Sequence, residues 1–428
     1  MTYEEYLNCK KPYQEYGSLF LLERKHACLY YKPGKGKTFP CIDAIREVDK
    51  SKKGKAKVLI LSTADAIKNM WNAEIVPQNI LPENTVLMSF NSAIQDARKQ
   101  SLLKIKWDVL VVDECHKIKA HNTKISKLVY SLSKYAEYVF GLSGTPRGNS
   151  DVDIYCQFHN MNIGEWGTIS YTNFVENCCI LDMKFFGGQC IKQPIGIKDV
   201  YKAGWERNIS MYTQRVEYSD EDNMPDLDVN LVELPYVPTK EYLDAEQGVI
   251  QLSEYETTMT KLSATLKLQQ AVNGFLYLTD NVEDKREIWH IERNKKLDWL
   301  RENVAFGVKT VIVYRFAADL EAIKQEFSEV YYTDNVDEFK NNSNKYILLL
   351  QCSRCESFNL QMCNRIIFYT MDYSYIKYNQ MLHRVWRMGQ NEAVRIYILT
   401  FGGTVETKIW NAVKTKQKFA DLFMSLRS

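Results

Sequence analysis

Five residues near the start of the chain, Gly34-Lys35-Gly36-Lys37-Thr38, combine two glycines, two lysines and a hydroxyl in the stretch LYYKPGKGKTFPCIDAI (29–45). Glycines lack a Cβ, so successive backbone N–H groups can converge on an anion. A helix opening at about Lys37 adds its unsatisfied N–H groups and dipole, both of which favour negative charge. Lys37 could then reach the terminal phosphates of a nucleotide, and the Thr38 hydroxyl could hold Mg²⁺. Phe39, Ile42, Ala44 and Ile45 would pack that helix on a sheet. The pattern G-x-x-x-x-G-K-[ST] is met except at its first position, where Tyr31 stands. Alone, such a loop reads equally well as a charged surface turn.

Three further groups bear on the choice. In WDVLVVDECHKIK (107–119), the apolar run Val109–Val112 predicts a buried strand ending in Asp113-Glu114. Ligands of open α/β sheets sit beyond the carboxyl ends of strands. A carboxylate pair there can divide the work: Asp113 holding Mg²⁺, Glu114 orienting and deprotonating an attacking water. VFGLSGTPRGN (139–149) puts Ser143, Gly144 and Thr145 just past another strand, where short hydroxyls could sense a γ-phosphate. In YNQMLHRVWRMGQ (378–390), Gln380, Arg384 and Arg387 are spaced so that one helical face, or its end, presents all three. Arginine suits bidentate contact with phosphate. Each piece alone has a plainer reading: an acidic turn, an ordinary turn, a solvated basic helix.

Those chemical groups need a scaffold, and the composition allows one. The chain has 428 residues, enough for two domains, and its 45% hydrophobic and 25% charged content is that of an ordinary globular protein. Lysine plus arginine (55) nearly balances aspartate plus glutamate (53), so any nucleic-acid surface must be a local patch. The opening MTYEEYLNCKKPYQ does not fit a signal peptide, and the apolar runs are strand-length, too short to span a bilayer. The eleven cysteines are scattered, so free thiols and a cytoplasmic setting are expected. Cys352-Ser353-Arg354-Cys355 has no second pair at zinc spacing.

Short β-rich runs alternate with helical patterns in two regions. The first holds Val58–Leu61, Val86–Ser89, Val109–Val112 and Val139–Leu142, with Ala66–Ile75 and Ser126–Ser133 as helices between them. The second holds Thr310–Tyr314, Tyr346–Gln351, Arg365–Tyr369 and Val394–Leu399. Alternation of this kind predicts parallel sheets covered on both faces. The middle, about 147–294, has weak periodicity; YSDEDNMPDLD (218–228) reads as an acidic break, and helices resume near Lys240–Gln251 and Thr258–Val272.

Taken in order, the four motifs resemble those of superfamily 2 helicases, and within them the Swi/Snf-type ATPases. GKGKT looks like motif I, DECH (113–116) like motif II, SGTP (143–146) like motif III and QMLHRVWRMGQ like motif VI. Pro12-Tyr13-Gln14 is similar to the segment with which the family contacts adenine. LILSTADAIKNMWNAEI (59–75) resembles motif Ia with its tryptophan helix, and SFNSA (89–93) stands where motif Ib would. NKKLDWLRE (294–302) and KTVIVYRFAADLEAIKQEF (309–327) resemble the opening of the second lobe and motif IV, and GTVETKIW (403–410) the C-terminal signature. SRCESFNLQ (353–361) occupies motif V but carries Arg354, Cys355 and Ser357 where glycines are usual; Asn359 and Leu360 match.

The resemblance covers nearly the whole chain. It implies an α/β fold of two RecA-like parallel-sheet lobes with an inter-lobe cleft and helical insertions, divided as 1–228 and 229–428. It further implies ATP and Mg²⁺ as cofactors, and duplex DNA, bound without sequence preference, as partner; no membrane is expected. Implied catalytic residues are Lys37, Asp113, Glu114, Gln380, Arg384 and Arg387. Tyr13, Gln14, Gly34, Lys35, Gly36, Lys37 and Thr38 would bind the nucleotide, and Thr38 and Asp113 the metal. The expected activity is that of an ATP-driven DNA translocase or helicase without appended modules, as would suit a bacterial or phage protein. An RNA helicase and a non-catalytic nucleic-acid platform are the alternatives.

Overall fold

The near-continuous aliphatic runs become strands buried on both faces, as parallel pairing with helices above and below requires. The computed structural model describes residues 2–147, 151–186, 189–247, 249–252, 255–258, 261–279, 286–292, 294–354 and 360–425. The chain divides into two units: Met1–Asp222 together with Lys416–Ser428, and Asn223–Thr415. Each is built on a six-stranded parallel sheet.

In the first unit, helices α1 (Tyr3–Cys9) and α2 (Pro12–Arg24) lead into β1 (His26–Tyr31), and α3 (Thr38–Ser51) follows. Then come β2 (Val58–Ser62), β3 (Thr85–Ser89), β4 (Val109–Asp113) and β5 (Tyr138–Ser143). An antiparallel hairpin, β6 (Cys179–Phe186) and β7 (Gln189–Ile197), lies outside the sheet, and β8 (Thr213–Val216) returns to it. The sheet order is β3-β2-β4-β5-β1-β8, every pair parallel. Side chains alternate between two cores. Val109 and Val111 of β4 pack with Leu29, Ile42 and Ile45, so α3 covers that face; Leu110 and Val112 pack with Leu59, Leu61 and Leu128 on the other. Because the strands run the same way, Tyr31, Ser62, Asp113 and Ser143 all end at one edge of the sheet.

The second unit opens with β9 (Leu227–Leu234), followed by hairpins β10 (Val249–Leu252)/β11 (Tyr255–Thr258) and β12 (Phe275–Thr279)/β13 (Arg286–His290). β14 (Thr310–Tyr314), β15 (Tyr332–Thr333), β16 (Ile347–Gln351), β17 (Arg365–Phe368) and β18 (Val394–Phe401) complete it. Its sheet, β15-β16-β14-β17-β18-β9, is again wholly parallel. A buried ion pair joins NKKLDWLRE to GTVETKIW. Lys296 is fully buried, with Nζ 2.6 Å from Glu406 Oε1, 2.7 Å from Tyr369 O and 3.1 Å from Asn273 Oδ1.

Several elements depart from the periodicity reading. β1 was hidden by His26, Tyr30 and Tyr31, which interrupt the aliphatic run, although both tyrosines are buried. β8 is four residues, Thr-Gln-Arg-Val, and β9 is an edge strand whose Asp228, Val229, Leu231 and Glu233 are exposed. Neither presents a continuous apolar run. The helix expected over Lys240–Gln251 stops at Gln247, and β10 takes its last residues. Ala66–Ile75 is helical, but Ile67–Ile75 is wound as a π-helix, a form common at functional sites. Among the described residues no helix is long and apolar enough to cross a membrane.

Candidate nucleotide site

The loop after β1 is shaped by its glycines. Gly34 and Gly36 have φ of +88° and +70°, left-handed conformations that side chains rarely adopt. A Cβ on Gly36 would also lie 2.6 Å from Gln14 Nε2. α3 opens at Thr38 with Lys37 as its N-cap, so the loop ends on a helix N-terminus. The Pro12-Tyr13-Gln14 segment forms the first turn of α2 and closes on this loop. Tyr13 OH and Gln14 Nε2 each donate to Lys35 O at 3.2 Å. Tyr31, the departure from the glycine pattern, has its own task. Its phenol donates to Gln214 Oε1 (2.5 Å) and lies 3.1 Å from Tyr13 O, which accepts from Gln214 Nε2 (2.9 Å), fixing α2 against β1 and β8.

The carboxylate pair meets the loop from β4. Lys37 Nζ lies 3.5 Å from Glu114 Oε1. Glu114 sits in the left-handed region (φ +55°, ψ 50°), which costs a non-glycine residue roughly 1–2 kcal/mol. Asp113 is 2% exposed. Its Oδ2 accepts from Ser62 Oγ (2.9 Å) and Trp71 Nε1 (3.1 Å), and its Oδ1 from the Glu114 N–H (3.1 Å). Burial, and then the Glu114 charge, push the Asp113 carboxyl above the ordinary range, against Lys37, Trp71 and Ser62. The chain therefore leaves part of this carboxylate's desolvation unbalanced.

A divalent cation held beside the carboxylate would offset that imbalance. Thr38 and Asp113 supply a hydroxyl and a carboxylate, hard oxygen donors of the kind Mg²⁺ takes alongside water and phosphate oxygens. In this structure the Thr38 hydroxyl is 3.9 Å from Met70 Sδ, next to Trp71 in the π-helical segment. Among the described residues there is no cluster of three or more His, Cys, Asp or Glu side chains suited to a metal. Cys355, half of the C-x-x-C, lies outside them, as do Ser357 and Asn359 of the motif V stretch.

The third strand end joins the second. His116 Nδ1 is 3.1 Å from Ser143 Oγ and 3.3 Å from Glu114 Oε2, while Ser143 Oγ accepts from Thr145 N (3.1 Å). His116 is buried, and its Nε2 has no hydrogen-bond partner among the described residues. DECH and SGTP are thus physically coupled.

Gln380, Arg384 and Arg387 belong to the second unit. Gln380 and Arg384 lie one turn apart on the helix Tyr375–Val385; Arg387 follows its end, after an extended Trp386. Gln380 is buried and its Oε1 has no partner among the described residues; both arginines are half-buried. The tail of this motif is stitched to residues 361–363. Gln390 Nε2 donates to Gln361 O (2.8 Å) and Cys363 O (2.9 Å), and Gln361 Nε2 to Met388 O (2.5 Å). Gly389, at φ +86°, makes the turn between them. The terminal Gly-Gln is therefore explained as a turn and its anchor.

Residues 77–180, which include DECH and SGTP, match the family model described as the SNF2-related domain. Over these residues the chain is similar to the SNF2-related domain. The Swi/Snf-type resemblance within superfamily 2 stands on that match. The chain is also 22% identical to the YwqA protein of Bacillus subtilis over 96% of the chain's length, and 22% identical to the DNA repair and recombination protein RAD26 of Saccharomyces cerevisiae over 83%. It spans 48% of YwqA and 35% of RAD26, about half of these relatives or less. To the Sulfolobus solfataricus SWI2/SNF2 ATPase core in complex with dsDNA it is 20% identical, at a TM-score of 0.40 over 97% of this chain and 93% of that one.

Two residues that hold the site were not marked as functional by motif reading. Ser62 is placed beside Asp113 by the parallel register, in which Leu61 faces Val112. Trp71 was legible as part of a tryptophan helix, but not as a hydrogen-bond donor to Asp113.

Proposed function

We propose that this chain hydrolyses ATP at the Lys37/Glu114 site and uses the turnover to move along duplex DNA without regard to sequence. The observation that carries the reading is the 3.5 Å approach of Lys37 to Glu114, which joins an anion-binding loop to a carboxylate pair at the carboxyl edge of a parallel sheet. Lys37 and the first N–H groups of α3 bind the β- and γ-phosphates. Tyr13 and Gln14, already against the loop, contact adenine. Phosphate arrival draws Lys37 away from Glu114, and the freed carboxylate orients and deprotonates the attacking water. Thr38 and Asp113 would hold Mg²⁺, which neutralises charge on the phosphates. Gln380, Arg384 and Arg387 act on the charge that develops at the γ-phosphate, where a guanidinium fork is suited to stabilise it.

The names of relatives support this reading. RAD26 is named for DNA repair and recombination, and a Bacillus subtilis relative 21% identical over 83% of this chain is named the uncharacterized ATP-dependent helicase YqhH. DNA would be gripped through its phosphates by local lysines and backbone amides, which accounts for sequence independence in a chain of near-zero net charge. The test is phosphate release from ATP with no nucleic acid, with duplex DNA of unrelated sequences, and with RNA. Stimulation by every duplex DNA, falling steeply with salt, is expected. Stimulation by RNA alone would make the chain an RNA motor, and no turnover under any condition would make it a platform.

A further inference from the structure

The acidic stretch 218–228, read from sequence as a break between lobes, begins by building against the phosphate loop. β1 and β8 run in parallel with Tyr31 opposite Val216, so the loop leaving β1 and the segment leaving β8 start side by side. The pairing continues past the strands: Lys32 N donates to Val216 O at 2.9 Å. Lys32 Nζ then lies 3.6 Å from Glu217 Oε2, and Tyr218 OH donates to Pro33 O at 2.7 Å. Lys35 completes the series, with Nζ 2.6 and 2.5 Å from the two carboxylate oxygens of Asp222.

This last pair is set into the structure. The Lys35 side chain is 4% exposed and that of Asp222 12%. The carboxylate is held in turn by Ser219, whose N–H and hydroxyl donate to Oδ2 at 2.6 and 3.2 Å. Although burial raises it, Lys35 and Ser219 hold the Asp222 carboxyl below the usual range. The Lys35 ammonium also sits 5.3 Å from the Tyr13 ring centroid, and its carbonyl receives Tyr13 and Gln14. The two lysines of GKGKT thus part company: Lys37 meets Glu114, and Lys35 meets Asp222.

Resting on the nucleotide reading, we infer that Asp222 is a positioning residue for the phosphate loop. It anchors Lys35 to the 219–222 turn, which fixes the loop backbone and leaves Lys37 as the lysine that serves the phosphates. A carboxylate some 185 residues from the loop is therefore part of its construction. Removing one member of a buried pair leaves an uncompensated charge, and the loop must rearrange to hydrate it.

The test compares Asp222→Asn and Asp222→Glu in the wild-type and Lys35→Met backgrounds. Affinity for a fluorescent ATP analogue, KM and kcat for ATP, and amide exchange across residues 34–37 are measured. Asp222→Asn should weaken ATP binding and raise KM by ~10-fold or more, because an unpaired buried charge is costly. kcat at saturating ATP should change by less than ~3-fold, the mark of lost ground-state binding. Exchange at 34–37 should speed up, Asp222→Glu should recover most of the affinity, and Asp222→Asn should add nothing once Lys35 is methionine. Unchanged affinity in Asp222→Asn, or an equal loss in the Lys35→Met background, overturns the inference. Should Asp222→Asn be too unstable to purify, Lys35→Met and the pair Lys35→Met/Asp222→Leu are compared with wild type. A shared loss of affinity is then expected, and wild-type affinity in both is the contrary result. A wild type that binds no ATP removes the nucleotide reading and this inference with it; a wild type that binds ATP beside an unimpaired Asp222→Asn removes this inference alone.

Discussion

Replacing Trp71 with phenylalanine probes how the fold keeps a buried carboxylate ionised. The indole is fully buried and donates to Asp113 Oδ2 at 3.1 Å. Phenylalanine keeps a ring in the same core but deletes the donor. A hydrogen bond to a charged group contributes about 1.5–3 kcal/mol. The smaller ring leaves ~40 Å³ unfilled, which at about 24 cal/mol per Å³ adds ~1 kcal/mol. Trp71→Phe should therefore destabilise the first unit by ~2.5–4 kcal/mol at neutral pH.

The pH dependence has a definite sign. Burial and Glu114 hold the Asp113 carboxyl above its ordinary value in the folded state, so the folded chain binds that proton more tightly than the unfolded one. Its contribution to stability is complete below the unfolded value near ~3.9 and is lost as pH rises through the folded value. Losing the Trp71 donor raises the folded value further. The cost of the substitution should then be largest above the titration of Asp113 and shrink as pH falls through it. Urea unfolding followed from acid to neutral pH, starting near the unfolded value, measures this directly. In the same variant, the acid limb of the ATP turnover profile should move upward in pH. A cost under ~1 kcal/mol, or one independent of pH, would refute the view that Trp71 stabilises the Asp113 carboxylate.

Lys37→Ala should abolish ATP turnover with little change in unfolding midpoint, since its side chain is about one-fifth exposed and its work is electrostatic; full turnover in a folded variant would remove the loop from the site. Arg387→Ala should lower the single-turnover hydrolysis rate by on the order of 10³ while ATP affinity survives, and lysine there should rescue poorly for want of a planar fork. A weakened affinity with an intact rate would make Arg387 a binding contact. Glu406→Gln should destabilise the second unit by about 3–5 kcal/mol in urea titrations, because Lys296 is left charged and fully buried; a loss under ~1 kcal/mol would mean the pair does not hold those segments together.

Much of this molecule is written in local pattern. The strands β2, β4, β14 and β16 are runs of aliphatic residues, and parallel burial leaves such runs no other use. GKGKT shows its glycines and the helix start at Thr38 because loop conformation and capping are local matters. What local pattern does not carry is pairing across the sheet. Ser62 meets Asp113 and His116 meets Ser143 only because β2, β4 and β5 end in register. Asp222 reaches Lys35 because β8, a strand too short and polar to read, lies beside β1. β9 was missed for a related reason, since an edge strand exposes alternate residues and looks like a linker.

Glu114→Gln tests the central claim most directly. The amide keeps the shape of the side chain and leaves Asp113 in place but cannot accept the proton of the attacking water. Equilibrium ATP binding and phosphate release are measured on one preparation, with saturating duplex DNA present. ATP binding as tight as wild type or tighter, since Lys37 no longer faces a charged Glu114, is expected beside phosphate release reduced by at least ~10². Phosphate release at the wild-type rate in that variant would contradict the account, because the base at the end of β4 would then be doing no chemistry.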